Sequence, residues 1–514
     1  VAKYGAFKYG SAKYGHVDSG RKLSWGFEVD WFDTGIYTGY NEAFGYGTDP
    51  GRMFSLNTKA GRQYFMNADG NGFQPVDASQ MQVQLTDMDG RYDPYNSSGP
   101  LYQYILPGKK FRLTVMDEST QTKYPVMVGR IEDIRPSYSQ IPTVTITGRN
   151  GIEDLKKQTV NSVQVYTTEK FTDAIGKTLL AANWTDGIDI DTTVTDTMGY
   201  WWLSGNSAFS EIQDLTDASR GLFCVSADGK ATFLSRLDSP DPVMTFVDND
   251  ALLSYGVKVP TPWESIKNYV KVYSRTRMAS AMTLWTLNSV PFIVAGSSIT
   301  VWAEFNSTNG EIVPATIVTT PVATTDYTAN SAADGSGTNR TANISITKTT
   351  FATSAKLVIS NTGLTDCYLT LMQLRGTAIL SDDYTFAEDS DATSIQIYRQ
   401  RELDVKTNWL QDIFSAQDYA ETIVKLLAVP KQFPRFVVRA KPSKQFVPDL
   451  FDIVSTNFVS HNITGDFRVG YIEHNWVVRN GDIVDTTYYL EPNIAGNITG
   501  TWIFPAMFGL STVF

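Results

Sequence analysis

Carboxylates in close sets are the groups in this sequence whose type and spacing come nearest to chemistry. Asp186, Asp189 and Asp191 crowd into Asp-Gly-Ile-Asp-Ile-Asp, and Asp382 stands beside Asp383. Glycoside hydrolysis needs two carboxyl groups facing each other across a sugar cleft, a separation that chain spacing does not define. Solvated loop acids are the plainer reading of both sets. Asp87-Met88-Asp89-Gly90-Arg91-Tyr92-Asp93 has the acid density of a calcium loop. It lacks the EF-hand pattern and its closing Glu. Turn acids that accept backbone N–H bonds, with Arg91 paired locally, explain it better. The three histidines, His16, His461 and His474, lie in no H-E-x-x-H, and neither a G-x-S-x-G elbow nor a P-loop is present. Cys224 and Cys367 are too few and too far apart for a disulfide framework or a zinc site, and read as buried free thiols of a chain folded in a reducing cytoplasm. The expectation is a protein with no catalytic residue, no metal site and no cofactor, hence not an enzyme.

Aromatic residues offer contact rather than catalysis. Lys3-Tyr4-Gly5, Lys8-Tyr9-Gly10 and Lys13-Tyr14-Gly15 repeat every five residues, a period that fits neither helix nor strand. They read as a floppy terminus or as an extended arm laying Tyr4, Tyr9 and Tyr14 on a neighbouring subunit. Tyr200-Trp201-Trp202 runs on into Leu203, which favours core or subunit contact for Trp201 and Trp202 over a sugar platform. The C-terminal residues 501–514 carry Trp502, Phe504 and Phe508. They are too short to cross a bilayer and are expected to dock on a sister subunit or the next tip protein.

The elements that would position these residues are mostly strands. Charged residues make up 19% and hydrophobic residues 42% of the 514, so the chain is globular. Abundant Tyr, Phe, Thr and Val favour β structure. A net charge of −11 argues against wrapping nucleic acid, which needs basic patches. No signal peptide is expected at the polar, Gly-rich start, and no membrane span, since no apolar run reaches roughly 18 residues.

Residues 1–20 form the arm. Residues 21–150 read as one barrel-like domain with strands near 24–31, 53–56, 81–85, 110–116, 124–134 and 143–147. Residues 151–254 read as a small α+β domain. Thr167 or Thr168 caps a helix over Phe171, Ile175, Leu179 and Leu180, a second helix starts at Ser207, and Asp228-Gly229 signals a type I′ hairpin. Residues 255–277 and 376–500 read as a second barrel, with a strand at 395–399, a helix at 416–427 and a hairpin around Asn480-Gly481. Residues 278–375, rich in Thr, Ser, Ala and Asn, read as an inserted β-sandwich with a mobile tip at 330–339. A barrel strand feeding a helix occurs twice, at 144–149 and again near 394–427, which suggests a diverged duplication. The expected fold class is α+β, predominantly β.

The order of pieces is more specific than any one of them. In residues 85–116 an aspartate–glycine–arginine–aromatic–aspartate–proline loop precedes a proline–glycine and a strand in which Lys110, Arg112 and Thr114 alternate with Phe111, Leu113 and Val115. This resembles the first barrel of tail hub (baseplate hub, or minor tail) proteins of long-tailed bacteriophages. Val128-Gly129-Arg130-Ile131-Glu132-Asp133-Ile134 with residues 144–151, then residues 207–236, then residues 394–427 with 452–490, resemble the later hub segments in the family's order. The resemblance spans most of the chain outside residues 278–375 and the C-terminal end.

The resemblance implies a structural virion protein of a siphophage tail tip, assembled in the host cytoplasm. It implies a homotrimer in which each subunit gives two hub-type β-barrels, six in all, matching a six-fold tail tube. Partners would be the distal tail protein ring, the tail tube protein, the tape measure protein and tip or fibre proteins, with DNA passing through the channel unbound at ejection. Asp87, Asp89, Arg91 and Asp93 would then lie on a loop where ring contacts are decided. The alternative is host attachment: a receptor- or glycan-binding protein using Trp285 and Trp302 of the insert on a host surface glycan.

Overall fold

The computed structural model describes residues 23–35, 37, 53–66, 72–161, 164–194, 196–251, 256–477 and 483–493. The chain is predominantly β, with several sheets and few helices among the described residues. The N-terminal strands are β1 (Leu23–Val29), β2 (Met53–Gly61), β3 (Asp77–Thr86), β4 (Lys110–Asp117), β5 (Thr122–Ser137) and β6 (Thr143–Arg149). They pair in the order β1-β4-β5-β6-β3-β2. Alternation decides which face goes inward. Phe111, Leu113 and Val115 of β4 are wholly buried, as are Val83 and Leu85 of β3 and Ile146 of β6. On the outer face of β4, Arg112 bonds to the carboxylate of Glu28 on β1.

The N-terminal strands and those of the C-terminal segment share one sheet. Beyond β2 the same eleven-stranded sheet continues into strands Ile463–Val477, Ile453–Phe458 and, in parallel, Met244–Val247. Strand Ile463–Val477 is the junction. One edge pairs with β2 through residues 471–477 and with Ile453–Phe458 through residues 463–468. The other edge pairs with Val484–Pro492, which in turn pairs with Arg435–Arg439. The cores are shared accordingly. Phe446, Trp476 and Val484 of the C-terminal half pack into the N-terminal core, with Trp25 and Phe446 edge to face at 5.9 Å. Burial of aromatic side chains of this size is worth roughly 2–3 kcal/mol each, so the seam is a structural core rather than a linker. Strand Met244–Val247, expected in the α+β domain, belongs to this sheet.

Helices α1 (Ile152–Lys157), α2 (Phe171–Ala181) and α3 (Ala208–Ala218) form the α+β part. Helix α3 starts where expected: the Ser207 hydroxyl accepts the Ser210 N–H at 3.2 Å. Helix α2 does not. Thr167 and Thr168 lie in strand Tyr166–Lys170, Lys170 holds the N-cap position without a side-chain bond, and Leu180 is 75% exposed while Ala174, Ile175 and Leu179 are buried. The hairpin at Asp228-Gly229 is longer than a two-residue turn. Only Gly229 has positive φ, +90°, and its N–H reaches the Ser226 carbonyl at 2.9 Å, a turn closed by a glycine bulge.

Two further corrections concern the second barrel. The strand expected at 395–399 is a helix, α4 (Ala392–Tyr398), because the Asp391 carboxylate caps it by accepting the Ser394 N–H at 2.9 Å. Helix α5 (Ile413–Leu427) buries Ala416, Tyr419, Ala420, Ile423, Val424 and Leu427. It packs on a separate three-stranded sheet of Tyr269–Ser274, Thr385–Ser390 and Glu402–Lys406. The strand before α1 lies in the large sheet and the strand before α5 does not, so the two strand-to-helix units are not equivalent.

The insert is a sandwich of a five-stranded and a three-stranded sheet around Ala303, Phe305, Leu357, Ile359 and Leu374. It enters and leaves through one antiparallel neck: strand Arg277–Thr286 pairs with Cys367–Ser381, Arg277 opposite Ser381. In the loop at 330–339, Asn330 Nδ2 donates to the carbonyls of Gly335 and Gly337. Residues 478–482, with the turn at Asn480-Gly481, lie outside the described residues.

Candidate assembly surface

The loop between β3 and β4, residues 87–109, is built from within. Asp87 is buried, and both its oxygens accept the Tyr92 N–H at 3.2 Å. Gly90 turns the chain with φ +64°, and a Cβ there would stand 2.6 Å from Asn96 Nδ2. That nitrogen donates to the Gly90 carbonyl at 2.9 Å. Asp93 accepts the Tyr95 N–H at 2.9 Å and the Tyr138 hydroxyl at 3.0 Å. Asp89 and Arg91 face each other at 3.8 Å near solvent, a weak pair. The acids of this loop therefore spend their oxygens on shaping it.

Anchors hold the loop to the body while its rim faces out. Tyr92, Leu101 and Ile105 are buried in the N-terminal core, Tyr92 against Trp31. On the same loop Met88 is 71% and Tyr95 77% exposed. Tyr138 and Ile141, from the β5–β6 turn, are exposed beside them. A rigid loop carrying several exposed large side chains has the make-up of a protein contact surface.

The other residues singled out by type scatter. Tyr4, Tyr9, Tyr14, Trp502, Phe504 and Phe508 lie outside the described residues. Trp201 is fully enclosed in the α+β core against Tyr166, so no second subunit can reach it. Trp202 is half-buried, edge to face with Trp409 at 5.2 Å. The Arg277 guanidinium lies over both rings, 4.4 Å and 4.3 Å from their centroids. Its Nη1 donates to the Tyr200 carbonyl at 3.1 Å and its Nη2 to the Asn408 carbonyl at 2.7 Å. Burial brings its pKa down to about 9. This clamp fixes the neck of the insert to the body, and sequence reading missed it because an arginine at a strand start has no local signature. Trp285 packs half-buried on the sandwich core, whereas Trp302 is 60% exposed on the other sheet, so the two do not share a face.

Groups with catalytic types are separated or occupied. Asp186 pairs with Lys110 at 2.7 Å, and Asp191 accepts Thr193 and Ser235 N–H bonds. Ser460, His461 and Asp248 are neighbours, but Asp248 accepts the Ser460 hydroxyl directly at 2.5 Å and lies 3.6 Å from the same His461 Nδ1 that faces Ser460. A nucleophile–base–acid relay needs the two partners on opposite ring nitrogens. His474 is buried, its Nδ1 2.9 Å from Thr486 Oγ1, and burial brings its pKa down to about 3. Among the described residues no group of three or more His, Cys, Asp or Glu could hold a metal ion. Cys224 and Cys367 are buried free thiols in different cores. A groove of about 740 Å³ runs along the seam, lined in part by Arg62, Phe65, Arg435 and Tyr471, and contains none of the sequence-predicted residues.

No protein-family model and no curated protein matches the sequence. Solved structures do match in fold. The chain is similar to the 43 kDa tail protein of prophage MuSo2 from Shewanella oneidensis, with a TM-score of 0.50 at 9% identity, covering 92% of this chain and 100% of that one. It is also similar to a tail protein from Neisseria meningitidis, TM-score 0.49 at 10% identity, covering 92% and 97%. A prophage tail protein from Listeria monocytogenes gives 0.39 at 8% identity, covering 85% and 87%. At such identities the likeness is one of fold. Over nearly its whole length this chain has the predominantly β fold of the Shewanella prophage tail protein.

Proposed function

We propose that the chain is a structural protein of a phage tail, the trimeric hub of a tail tip. In this reading it joins the tail tube and distal tail ring to the tip proteins and encloses a channel for the tape measure protein and then DNA. The observation that carries it is the single eleven-stranded sheet whose N-terminal and C-terminal halves are joined through strand Ile463–Val477. Three copies would set six such halves around an axis, the number that meets a six-fold tube. The fold likeness to a prophage tail protein supports it. The rim of Met88, Tyr95, Tyr138 and Ile141 supplies a contact surface for a sister subunit or adjoining ring, with the N-terminal arm and C-terminal tail as further contacts. A net charge of −11 suits a wall past which DNA slides, since attraction to phosphates would need clustered cations. Sedimentation of the purified chain tests the trimer: the expected mass is three times 57.0 kDa, and a monomer at all concentrations up to the millimolar range contradicts it.

A further inference from the structure

One face of the insert has a composition of its own. In the three-stranded sheet of Ser298–Glu304, Ser354–Asn361 and Ile344–Thr350, alternation sends Ala303, Leu357 and Ile359 into the core. The opposite face is turned to solvent, and the register lines it in rows across the strands. Trp302 stands opposite Lys356, and Lys356 opposite Thr349. In the next row Thr300 and Thr347 flank Val358, and beyond it Ser298 and Ser360 share a hydrogen bond of 2.7 Å. Trp302 is 60% exposed and stacks on Phe351, ring centroids 5.8 Å apart and planes 26° from parallel.

These features select a ligand chemistry. The Trp302 ring is an exposed flat apolar plate, preset by its stack on Phe351, so little side-chain freedom is lost when something covers it. Around it are hydroxyls, each able to donate one and accept two hydrogen bonds. A protein partner would ask for a broader apolar centre than one indole among hydroxyls. The face carries one cation, Lys356, and one anion, Glu304, in a chain of net charge −11. That balance suits neither a polyanion, which needs clustered cations, nor a cationic surface. An uncharged polyhydroxylated chain matches both the plate and the hydroxyl rows.

We propose that this face binds a neutral glycan, one sugar ring stacked on Trp302 and its hydroxyls exchanging hydrogen bonds with Thr300, Thr349 and Lys356. Trp285, on the other sheet, takes no part. The site does not depend on the tail-hub reading, because it lies wholly within the insert.

The test uses the full-length protein and immobilised hexasaccharides of N-acetylglucosamine, β-1,4-glucose and α-1,4-glucose, beside heparin as a polyanion. Retention on at least one neutral hexasaccharide is expected, weakened about tenfold or more by Trp302→Ala and largely kept by Trp302→Tyr. Thermal unfolding of both variants should match the parent, since the indole is exposed. Absence of binding to every neutral chain, equal binding by Trp302→Ala, or preference for heparin would overturn the proposal. None of those results would bear on whether the chain forms trimers, so the two readings fail separately.

Discussion

Arg62 and Glu491, 429 residues apart, close on each other in a two-pronged pair, Nε to Oε1 and Nη2 to Oε2, both at 2.6 Å. Arg62 follows β2 and Glu491 lies near the end of strand Val484–Pro492, so the pair staples the two halves of the large sheet. Only 3% and 7% of the two side chains are exposed. The Arg62 Nη1 donates to the Gln74 carbonyl at 2.7 Å, and the guanidinium lies 5.4 Å from the Phe451 ring. Removing one partner strands the other charge in a low-dielectric site. Arg62→Met should destabilise the protein by about 3–5 kcal/mol, and the double variant Arg62→Met with Glu491→Leu should recover much of that loss. Urea unfolding of the single and double variants measures both.

Arg277 should behave as the pin of the insert. Arg277→Ala removes two hydrogen bonds to backbone carbonyls and the contact with two indoles, at a cost of about 1–3 kcal/mol. The loss should be local. Hydrogen exchange at the neck strands Arg277–Thr286 and Cys367–Ser381 should quicken, while exchange in β3 and β4 stays as in the parent. Uniform acceleration across both regions would show that the clamp is not a local device.

Stability should respond to pH through groups that pull in opposite directions. Burial holds the His474 pKa at about 3, below its ordinary 6.5, so the neutral ring's contribution is full above 6.5 and is lost as pH falls from 6.5 towards 3. Burial raises the Asp217 and Asp449 carboxyls to about 6 from 3.8, so their contribution is full below 3.8 and is lost as pH rises through 6. His474→Gln should therefore gain stability relative to the parent at pH 4.5 compared with pH 8. Asp449→Asn, which can still accept the Ala227 N–H now made at 2.7 Å, should gain at pH 8 compared with pH 4.5. Urea midpoints at the two pH values give both differences.

The exposed rim should matter for assembly and little for folding. Tyr95→Ser combined with Met88→Ser removes two large side chains that are 77% and 71% exposed. Surface changes of this kind usually stay within about 0.5 kcal/mol of stability. Self-association, followed by sedimentation, should weaken while the unfolding temperature is kept. Deletion of residues 501–514 should weaken it too, and unchanged oligomerisation after that deletion would count against a docking role for the tail.

Local pattern carried much of the architecture. The alternation of Phe111, Leu113 and Val115 marks a strand with one wholly buried face, and the stripe from Ala416 to Leu427 marks the buried side of α5. The composition turns to Thr, Ser, Ala and Asn near residue 278, where strand Arg277–Thr286 leads into the sandwich. What pattern could not carry was pairing between distant segments. Nothing near Arg62 names Glu491, and nothing in Ile463–Val477 shows that one strand serves three partners. Residues 395–399 alternate like a strand, yet 395–398 lie in the helix that Asp391 caps. The loop acids Asp87 and Asp93 were legible as turn acids, but their reach to Tyr92 and Tyr138 needed the third dimension. Trp285 and Trp302 look alike in sequence and differ only in which sheet each occupies.

The most direct measurement of the hub proposal is a cryo-electron microscopy map of tail particles containing this protein. Three copies at the tip, their six sheet halves ringed around an open axis and the loop at residues 87–109 against a neighbouring subunit or ring, is the predicted result. A single copy, or copies arranged off the axis with no channel between them, would contradict it.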